Sequence, residues 1–465
     1  MATRYYFAYG TDMWKDQMAH TCLGSQLHGK GTLSNWKWMI NFRGYANIVE
    51  STGSAVQGLV YKITQADEDS LDAYLAYPEI SSKHAENIQM GADSIQALVY
   101  LDEKRKKEGK ANNEYIRRMS NAIEDALKAG ISDDGYIKTT IRPFIPKLTF
   151  GYGSNMWKRQ MEFRCPQSRY AGVGVLENWK WIISQRHVAN VIRSPNDSVY
   201  GLLFMISETD EEKLDVSEGS HYTKRMERIK VDGGNGHVTV LVYIDETNIT
   251  NGISRPEYIG RVNNGIADAL EDGVPDGYIK QYLRPFIPTL YFAYGKHMSS
   301  TEMPGVPKLW SWSGLGVLPG WRWDLNDDGY ANIVPSAKDV VYGMIYEVDQ
   351  TVEAQLGQQA YRHYTRQLLR IETSNVDDNR GPKYAHNYVN AVIYVDKRDG
   401  TERGRPSAGY IHLMNRAIEK AISVGLPKKY VDKYLRPHIP APRAGNNAQI
   451  LDDGTDGSRD EVPGN

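Results

Sequence analysis

The chain repeats itself at intervals of about 143 residues. The apolar segment at 5–10 returns at 148–153 and again at 290–295, and later landmarks recur in the same order. Those landmarks are a Trp-x-Trp pair, an Ala-Asn-Ile or Ala-Asn-Val triplet, and a closing Arg-Pro-x-Ile-Pro. Solenoid repeats run only to about 50 residues, because one alone cannot bury a core. A much longer period in a chain of 465 residues therefore predicts three fused globular domains.

The closing prolines delimit the three copies, because proline fixes φ and removes a backbone donor. They lie at 142–146, 284–288 and 436–440. We predict closely packed domains, with an internal pseudo-trimer as one arrangement, at 1–146, 147–288 and 289–440. The third copy carries an insertion near 374–387. Residues 441–465 are rich in Gly, Asp and Asn, so we expect a disordered tail.

Composition and charge are those of an ordinary soluble protein. Apolar residues make up 41% and charged residues 24%, which excludes collagen, a coiled coil and wholesale disorder. The formal net charge of -2 provides no long-range attraction to nucleic acid or to an acidic membrane. No apolar stretch reaches the roughly 18 residues of a membrane span, and Met1 precedes no leader pattern. We expect a cytoplasmic protein with a small-molecule partner, and the oligomeric state stays open.

Each copy mixes strand and helix signals. Short apolar runs rich in β-branched and aromatic residues predict buried strands, for example at 58–61, 97–101 and 238–244. One long amphipathic helix per copy, closed by a glycine, is predicted over 114–129, 256–273 and 406–425. The predicted class is α+β, with a small, mostly antiparallel barrel or sheet and flanking helices in each copy.

Several common kinds of site are not supported by the sequence. No two histidines have helical i,i+4 spacing and no Cys-x-x-Cys occurs, so no metal is expected. The segment 24–30 imitates a phosphate loop, but Gly31 stands where Ser or Thr is required. There is no Gly-x-Ser-x-Gly nucleophile elbow. Cys22 and Cys165 are interpreted as buried free thiols, and the Trp-x-Trp pairs as packing residues.

Two segments of the second copy carry candidate chemistry. Directly after an apolar strand come Tyr152, Gly153, Ser154, Asn155 and Met156. Small residues after a strand let backbone N–H groups converge on an anion, although an ordinary tight turn has the same composition. About sixty residues later, an apparent helix ends at Glu218 before a glycine, which places a lone carboxylate at a barrel mouth.

This pairing of a Tyr-Gly-Ser-Asn loop with a later Leu-Asp-x-x-Glu-Gly and Tyr resembles the γ-glutamylcyclotransferase, or AIG2-like, family. The resemblance covers all three copies. It implies a small barrel, a loop that holds the glutamyl end of the substrate, a glutamate as acid/base, and release of 5-oxoproline without a cofactor. By that resemblance Glu218 is the catalytic residue, and the residues near the substrate are Tyr152, Gly153, Ser154, Asn155, Met156, Tyr222 and Tyr278.

The outer copies depart from the family pattern. The repeat offset places Leu75 and Ala360 opposite Glu218. The loop of the first copy carries Asp12, and that of the third carries Lys296 and His297. Because both outer copies lack the glutamate that the family uses, we expect them to be catalytically inactive, with loops that no longer bind substrate and a structural role.

The expected reaction follows from the needs of ring closure. Glu218 takes a proton from the α-amine as it attacks the γ-carbonyl, and later protonates the leaving amine. Because the closure is intramolecular, correct folding of the substrate lowers much of the barrier. Backbone donors at 153–156 either stabilise the oxyanion or hold the α-carboxylate. Two alternatives remain: a cofactor-free cyclase, isomerase or lyase on another small, specialised metabolite, or a non-catalytic binding or scaffold protein.

Overall fold

The computed structural model describes residues 4–231, 236–305, 307–311, 313–360, 363–373, 388–398 and 403–442. The chain divides into two compact units. One is built chiefly from Met1–Leu290, and the other chiefly from Tyr291–Glu347, Val352–Val376 and Val392–Asn465. The insertion at 374–387, and the tail at 441–465 apart from its first two residues, lie outside the described residues.

The first repeat is a closed five-stranded barrel with the strand order β1-β3-β2-β4-β5. Its ends join where β1 and β5 run parallel and Tyr6 pairs with Leu98, while the other pairings are antiparallel. The strands are β1 (Arg4–Ala8), β2 (Gln26–Ile40), β3 (Ala46–Ile63), β4 (Ser82–Met90) and β5 (Asp93–Leu101). The helices are α1 (Lys15–Thr21), α2 (Gln65–Tyr74) and α3 (Asn113–Lys128), followed by a π-helix (Asp133–Ile141).

The second repeat forms the same barrel, with the order β10-β6-β8-β7-β9 and a parallel closure through Leu241 and Thr149. Its strands are β6 (Lys147–Gly151), β7 (Arg169–Ile183), β8 (Ala189–Ile206), β9 (Thr223–Val231) and β10 (His237–Ile244). Its helices are α4 (Lys158–Arg164), α5 (Glu208–Glu218) and α6 (Pro256–Glu271). A short helix (Asp276–Tyr278) then runs into a π-turn (Ile279–Leu283).

The third repeat forms a similar five-stranded barrel with the strand order β11-β16-β15-β13-β14, which is closed by pairing of β11 with β14. An additional short strand, β12, pairs with β14. Its strands are β11 (Thr289–Ala293), β12 (Lys308–Leu309), β13 (Leu315–Leu325), β14 (Ala331–Val348), β15 (Tyr364–Thr373) and β16 (Tyr388–Asp396). Its helices are α7 (Gln350–Gln359) and α8 (Ala408–Ser423), with a short helix (Lys428–Tyr430) and a π-turn (Val431–Leu435) after them. Three barrels with flanking helices confirm the predicted α+β class.

The helix ends follow local capping chemistry. The side chain of Thr64 caps α2 and that of Ser207 caps α5, each in a capping box with an aspartate three residues on. The predicted helix over 406–425 is shorter in the structure, because Ser407 accepts a hydrogen bond from the N–H of Tyr410 and so begins α8 after the proline. Among the helices described, none has both the length and the apolar character needed to span a bilayer.

A buried tryptophan holds the loop after the first strand of every repeat. The indole N–H groups of Trp38, Trp181 and Trp323 donate to the carbonyl oxygens of Tyr9, Tyr152 and Tyr294 at 2.9–3.0 Å. All three indoles are almost fully buried, so each bond is shielded from water. The tryptophans therefore pack in the core, as predicted, and also fix the start of each candidate loop.

Repeats 1 and 2 share a polar contact within the first compact unit. Asn121 of α3 donates to the carbonyl of His237 at 2.9 Å and accepts from the N–H of Thr239 at 2.7 Å. The hydroxyl of Ser120 donates to the carbonyl of Thr239 at 2.6 Å. The helix of repeat 1 thus satisfies backbone groups at the start of β10.

Candidate active site

The loop after β6 approaches two other segments of repeat 2 very closely. A Cβ on Gly153 would lie 2.7 Å from the hydroxyl oxygen of Tyr258 and 2.8 Å from the Cβ of Ala189. Only glycine fits such an approach. The next residues form a 310 turn, Ser154–Met156, in which the N–H of Met156 donates to the carbonyl of Gly153 at 3.0 Å.

The end of α5 brings a carboxylate to this loop. Glu218 is the last residue of the helix, and Gly219 caps it with a φ of 75°, a conformation that favours glycine. The side-chain amide of Asn155 donates to Oε1 of Glu218 at 2.7 Å. The structure therefore brings together the two segments that sequence analysis singled out. The second oxygen of Glu218 accepts no hydrogen bond from a described residue and remains available for a ligand.

An arginine that sequence analysis missed orients this pair. Nη1 of Arg164, at the end of α4, lies 2.7 Å from Oδ1 of Asn155 and 3.5 Å from Oε1 of Glu218. Gln160 also donates to Oδ1 of Asn155, at 3.0 Å. Because two donors hold the amide oxygen, the amide nitrogen must face Glu218. Burial lowers the pKa of Arg164, while the negative charge of Glu218 opposes that effect. A guanidinium stays protonated in proteins, so Arg164 is a cation at neutral pH.

Three tyrosines complete the walls of the site. The hydroxyl of Tyr222 donates to the carbonyl of Ala189 at 2.8 Å, and that of Tyr152 donates to the carbonyl of Tyr243 at 2.6 Å. The hydroxyl oxygen of Tyr258 accepts from the N–H groups of Ser154 and Ala189 at 3.3 and 3.1 Å. Burial raises the pKa of Tyr152, Tyr222 and Tyr258 above the usual range. These phenols are therefore neutral at physiological pH and serve as walls and hydrogen-bonding groups.

Two of the four predicted backbone donors are already engaged. The N–H of Ser154 bonds Tyr258, and that of Met156 bonds Gly153. The N–H groups of Gly153 and Asn155 donate to no described residue. The donors that remain available to an anionic ligand oxygen are therefore those of Gly153 and Asn155.

The enclosed part of the site is small, about 40 Å³. Its walls include Tyr152, Gly153, Ser154, Asn155, Ala189, Glu218, Tyr222, Tyr243 and Tyr258. Tyr278, placed near the site by the family resemblance, does not line it, because its ring packs against those of Tyr200 and Tyr282 at 4.9 and 5.4 Å between centroids. The Met156 side chain is also absent from the walls and lies fully buried.

Other site residues recur in repeat 1 and carried a usable sequence signal. Gln160, Tyr258 and Arg261 correspond to Gln17, Tyr115 and Arg118 at the repeat offset, and Arg261 donates to the hydroxyl of Ser154 at 3.2 Å. Arg164 gave no such signal, because the first repeat has Thr21 in its place. Within the described ranges, no cluster of three or more His, Cys, Asp or Glu side chains is arranged to hold a metal ion.

The outer repeats have larger cavities at the corresponding place. That of repeat 1 encloses about 330 Å³, and Leu75 lines it with Asp12. That of repeat 3 encloses about 310 Å³, and Ala360 lines it with Lys296 and His297. The residues that replace the glutamate therefore stand at the cavity walls, where the repeat offset placed them.

A model of the family described as "Gamma-glutamyl cyclotransferase, AIG2-like" matches residues 6–118 and 149–258, which carry the barrels and loops of repeats 1 and 2. These two domains belong to that family. No curated protein sequence matches the chain.

The chain is also similar to several solved structures. A "Gamma-glutamyl cyclotransferase" is 23% identical, with 28% of this chain and 83% of that chain covered and a TM-score of 0.26. An uncharacterized protein from Homo sapiens is 24% identical, with the same coverage and TM-score. YkqA from Bacillus subtilis is 16% identical over 59% of this chain and 94% of its own, with a TM-score of 0.27.

Proposed function

We propose that repeat 2 is a cyclotransferase that converts a γ-glutamyl amine or peptide to 5-oxoproline and a free amine. The observation that supports this most directly is the 2.7 Å hydrogen bond between Asn155 and Glu218. It joins the loop to a carboxylate that keeps one oxygen free, in a domain of the cyclotransferase family. A cytoplasmic location, a small-molecule partner and the absence of any cofactor remain predictions from the sequence.

Glu218 acts in this proposal as a proton carrier. The α-amine nitrogen of the substrate attacks the γ-carbonyl carbon, and its proton passes to Oε2 of Glu218. The bond from that carbon to the leaving nitrogen then breaks, and the same proton moves to the leaving amine. No covalent bond to the protein forms. Asn155 and Arg164 are positioning residues, since they hold Oε1 and so aim Oε2 at the ligand.

The free N–H groups of Gly153 and Asn155 suit a negatively charged oxygen of the substrate. The γ-carbonyl oxygen becomes an oxyanion during attack, and fixed donors stabilise such a charge better than mobile water does. The α-carboxylate carries a charge throughout and would be held by the same donors. Both roles use the two N–H groups that the loop leaves unbonded.

The test is the product. The purified full chain is incubated with glutathione, γ-glutamyl amines and γ-glutamyl dipeptides, and 5-oxoproline is measured by mass spectrometry. Release of 5-oxoproline from at least one compound is expected. Silence across the panel would contradict the proposal and favour a different reaction, or ligand binding alone, at the same site.

A further inference from the structure

Repeat 1 has not simply lost its carboxylate, because an acidic side chain stands at a neighbouring position. Four of the differences between repeats 2 and 1 concern the carboxylate and the residues around it. They replace Thr149 by Tyr6, Asn155 by Asp12, Arg164 by Thr21, and Glu218 by Leu75. Repeat 2 thus pairs a carboxylate on the helix end with an arginine, whereas repeat 1 places a carboxylate in the loop and lacks that arginine.

The carboxyl group of Asp12 is buried and hydrogen-bonded, but it forms no ion pair. Only 6% of the residue is exposed. Oδ2 accepts from the hydroxyl of Tyr6 at 2.6 Å, and Oδ1 accepts from the side-chain amide of Gln17 at 2.5 Å. Within 4.0 Å, the described residues provide no cationic partner. Burial raises the pKa of Asp12, and the two hydrogen bonds together with the more distant charge of Arg118 oppose that shift.

A buried carboxylate without a counter-ion is costly. The two arginines that line the cavity, Arg43 and Arg118, do not supply one, because neither forms an ion pair with Asp12 within 4.0 Å. Arg118 forms a two-pronged pair with Glu114, through Nε and Nη2 at 2.5 and 3.0 Å. Arg43 lies 4.0 Å from Asp102. A cationic ligand would therefore meet a carboxyl group with which no described cation forms an ion pair.

The cavity beside Asp12 has the size and walls of a ligand site. Its volume of about 330 Å³ is within the range of small-molecule pockets. Six tyrosines are among its lining residues: Tyr6, Tyr9, Tyr45, Tyr74, Tyr100 and Tyr115. Aromatic faces attract organic cations, and a carboxylate adds a charge-assisted hydrogen bond to an N–H donor.

We propose that repeat 1 carries a second small-molecule site, in which Asp12 binds the ammonium group of an organic amine against tyrosine walls. This site does not depend on the reaction proposed for repeat 2. Recognition consists of an ion pair between the ligand nitrogen and Asp12, with Tyr6 and Gln17 holding the carboxylate in place.

The third repeat differs at the same position in a way that predicts no such binding. His297 takes the place of Asp12, and its Nδ1 lies 3.1 Å from the hydroxyl of Tyr291. Burial, assisted by the charge of Lys296, lowers the pKa of His297 to about 4. A neutral imidazole beside a lysine offers no negative charge, so no amine site is expected in repeat 3.

Calorimetric titration of the full chain tests the proposal. The probes are ethanolamine, putrescine and phenethylamine, and 2-phenylethanol is the uncharged match of the last. At least one amine is expected to bind at millimolar concentration or below, and phenethylamine at least tenfold more tightly than the alcohol. Failure of all three amines to bind, or equal affinity for phenethylamine and the alcohol, would overturn the proposal.

The variant Asp12→Asn locates the binding. Asparagine fits this position, since repeat 2 has Asn155 there, and the double variant Tyr6→Thr with Asp12→Asn restores the residue pair of repeat 2. Both variants are expected to lose amine affinity at least tenfold. Asp69→Asn, which removes an exposed carboxylate of the same repeat, should leave affinity unchanged. Retention of amine binding by a folded Asp12→Asn protein would assign the amine to another site.

Discussion

Replacement of Glu218 by glutamine removes the proposed proton carrier and keeps its shape. The glutamine carbonyl can still accept from Asn155, where Oε1 accepts at 2.7 Å, and its amide nitrogen then occupies the place of Oε2. An amide cannot take a proton at neutral pH, so the expected loss in kcat is the 10²–10⁴-fold range of an acid/base residue. That loss corresponds to about 2.7–5.4 kcal/mol of barrier.

The same change has a smaller effect on stability. Arg164, only 16% exposed in its side chain, loses a counter-charge 3.5 Å away but keeps its hydrogen bond to Asn155. We expect a loss of about 1 kcal/mol, the scale of one hydrogen-bonded contact. In a domain of this size that lowers Tm by about 4 °C.

The assay is single-turnover release of 5-oxoproline, with thermal unfolding of the same preparation. Glu212→Gln is the matched control, because Glu212 lies on the same helix, α5, and is exposed. It should retain the wild-type rate. A Glu218→Gln protein that kept more than about a tenth of the rate would refute the role of Glu218, since that loss is smaller than the 10²–10⁴-fold typical of an acid/base residue.

Three further outcomes are expected. Gly153→Ala places a Cβ 2.7 Å from the hydroxyl of Tyr258 and should lower the free energy of unfolding by about 1–3 kcal/mol, measured by denaturant unfolding. Gly10→Ala, whose Cβ would have its nearest contact at 3.0 Å, should cost less, and the reverse order would contradict the steric argument. Asn121→Ala leaves backbone groups of β10 without partners and should lower stability by about 1–3 kcal/mol, whereas an unchanged melting curve would show that the contact contributes little. Burial lowers the pKa of His297 to about 4, whereas a histidine in the unfolded chain has a pKa of about 6.5. Between these two pH values the unfolded chain binds more protons than the folded chain, so the free energy of unfolding should fall on acidification, by at most about 1.4 kcal/mol per pH unit. His297→Gln should flatten this part of the curve of stability against pH.

The barrels were predictable because strand and repeat signals are local or periodic. The 143-residue repeat offset aligned the loop after β6 with its counterpart in repeat 1, and the glycine after Glu218 predicted where α5 ends. Arg164 was not predictable, because it meets Glu218 only through the fold, 54 residues apart, and has no counterpart in repeat 1. The family resemblance placed Tyr278 near the site, but the turn of the short helix at 276–278 directs its ring to Tyr200 and Tyr282 instead.

Helix α3 makes two kinds of contact, through residues that lie less than two turns apart. Tyr115 and Arg118 line the cavity of repeat 1, while Asn121 bonds the beginning of β10, the strand that carries Tyr243 into the wall of the other site. One helix and one strand that contact each other thus each contribute to the wall of one of the two cavities. Any free energy of coupling that this connection carries is reciprocal: a ligand in repeat 1 that changes affinity at repeat 2 by some factor must have its own affinity changed by the same factor. Fusion of the copies in one chain therefore makes the first domain a potential effector module for its neighbour, with a coupling constant that titration of either ligand in the presence of the other measures directly.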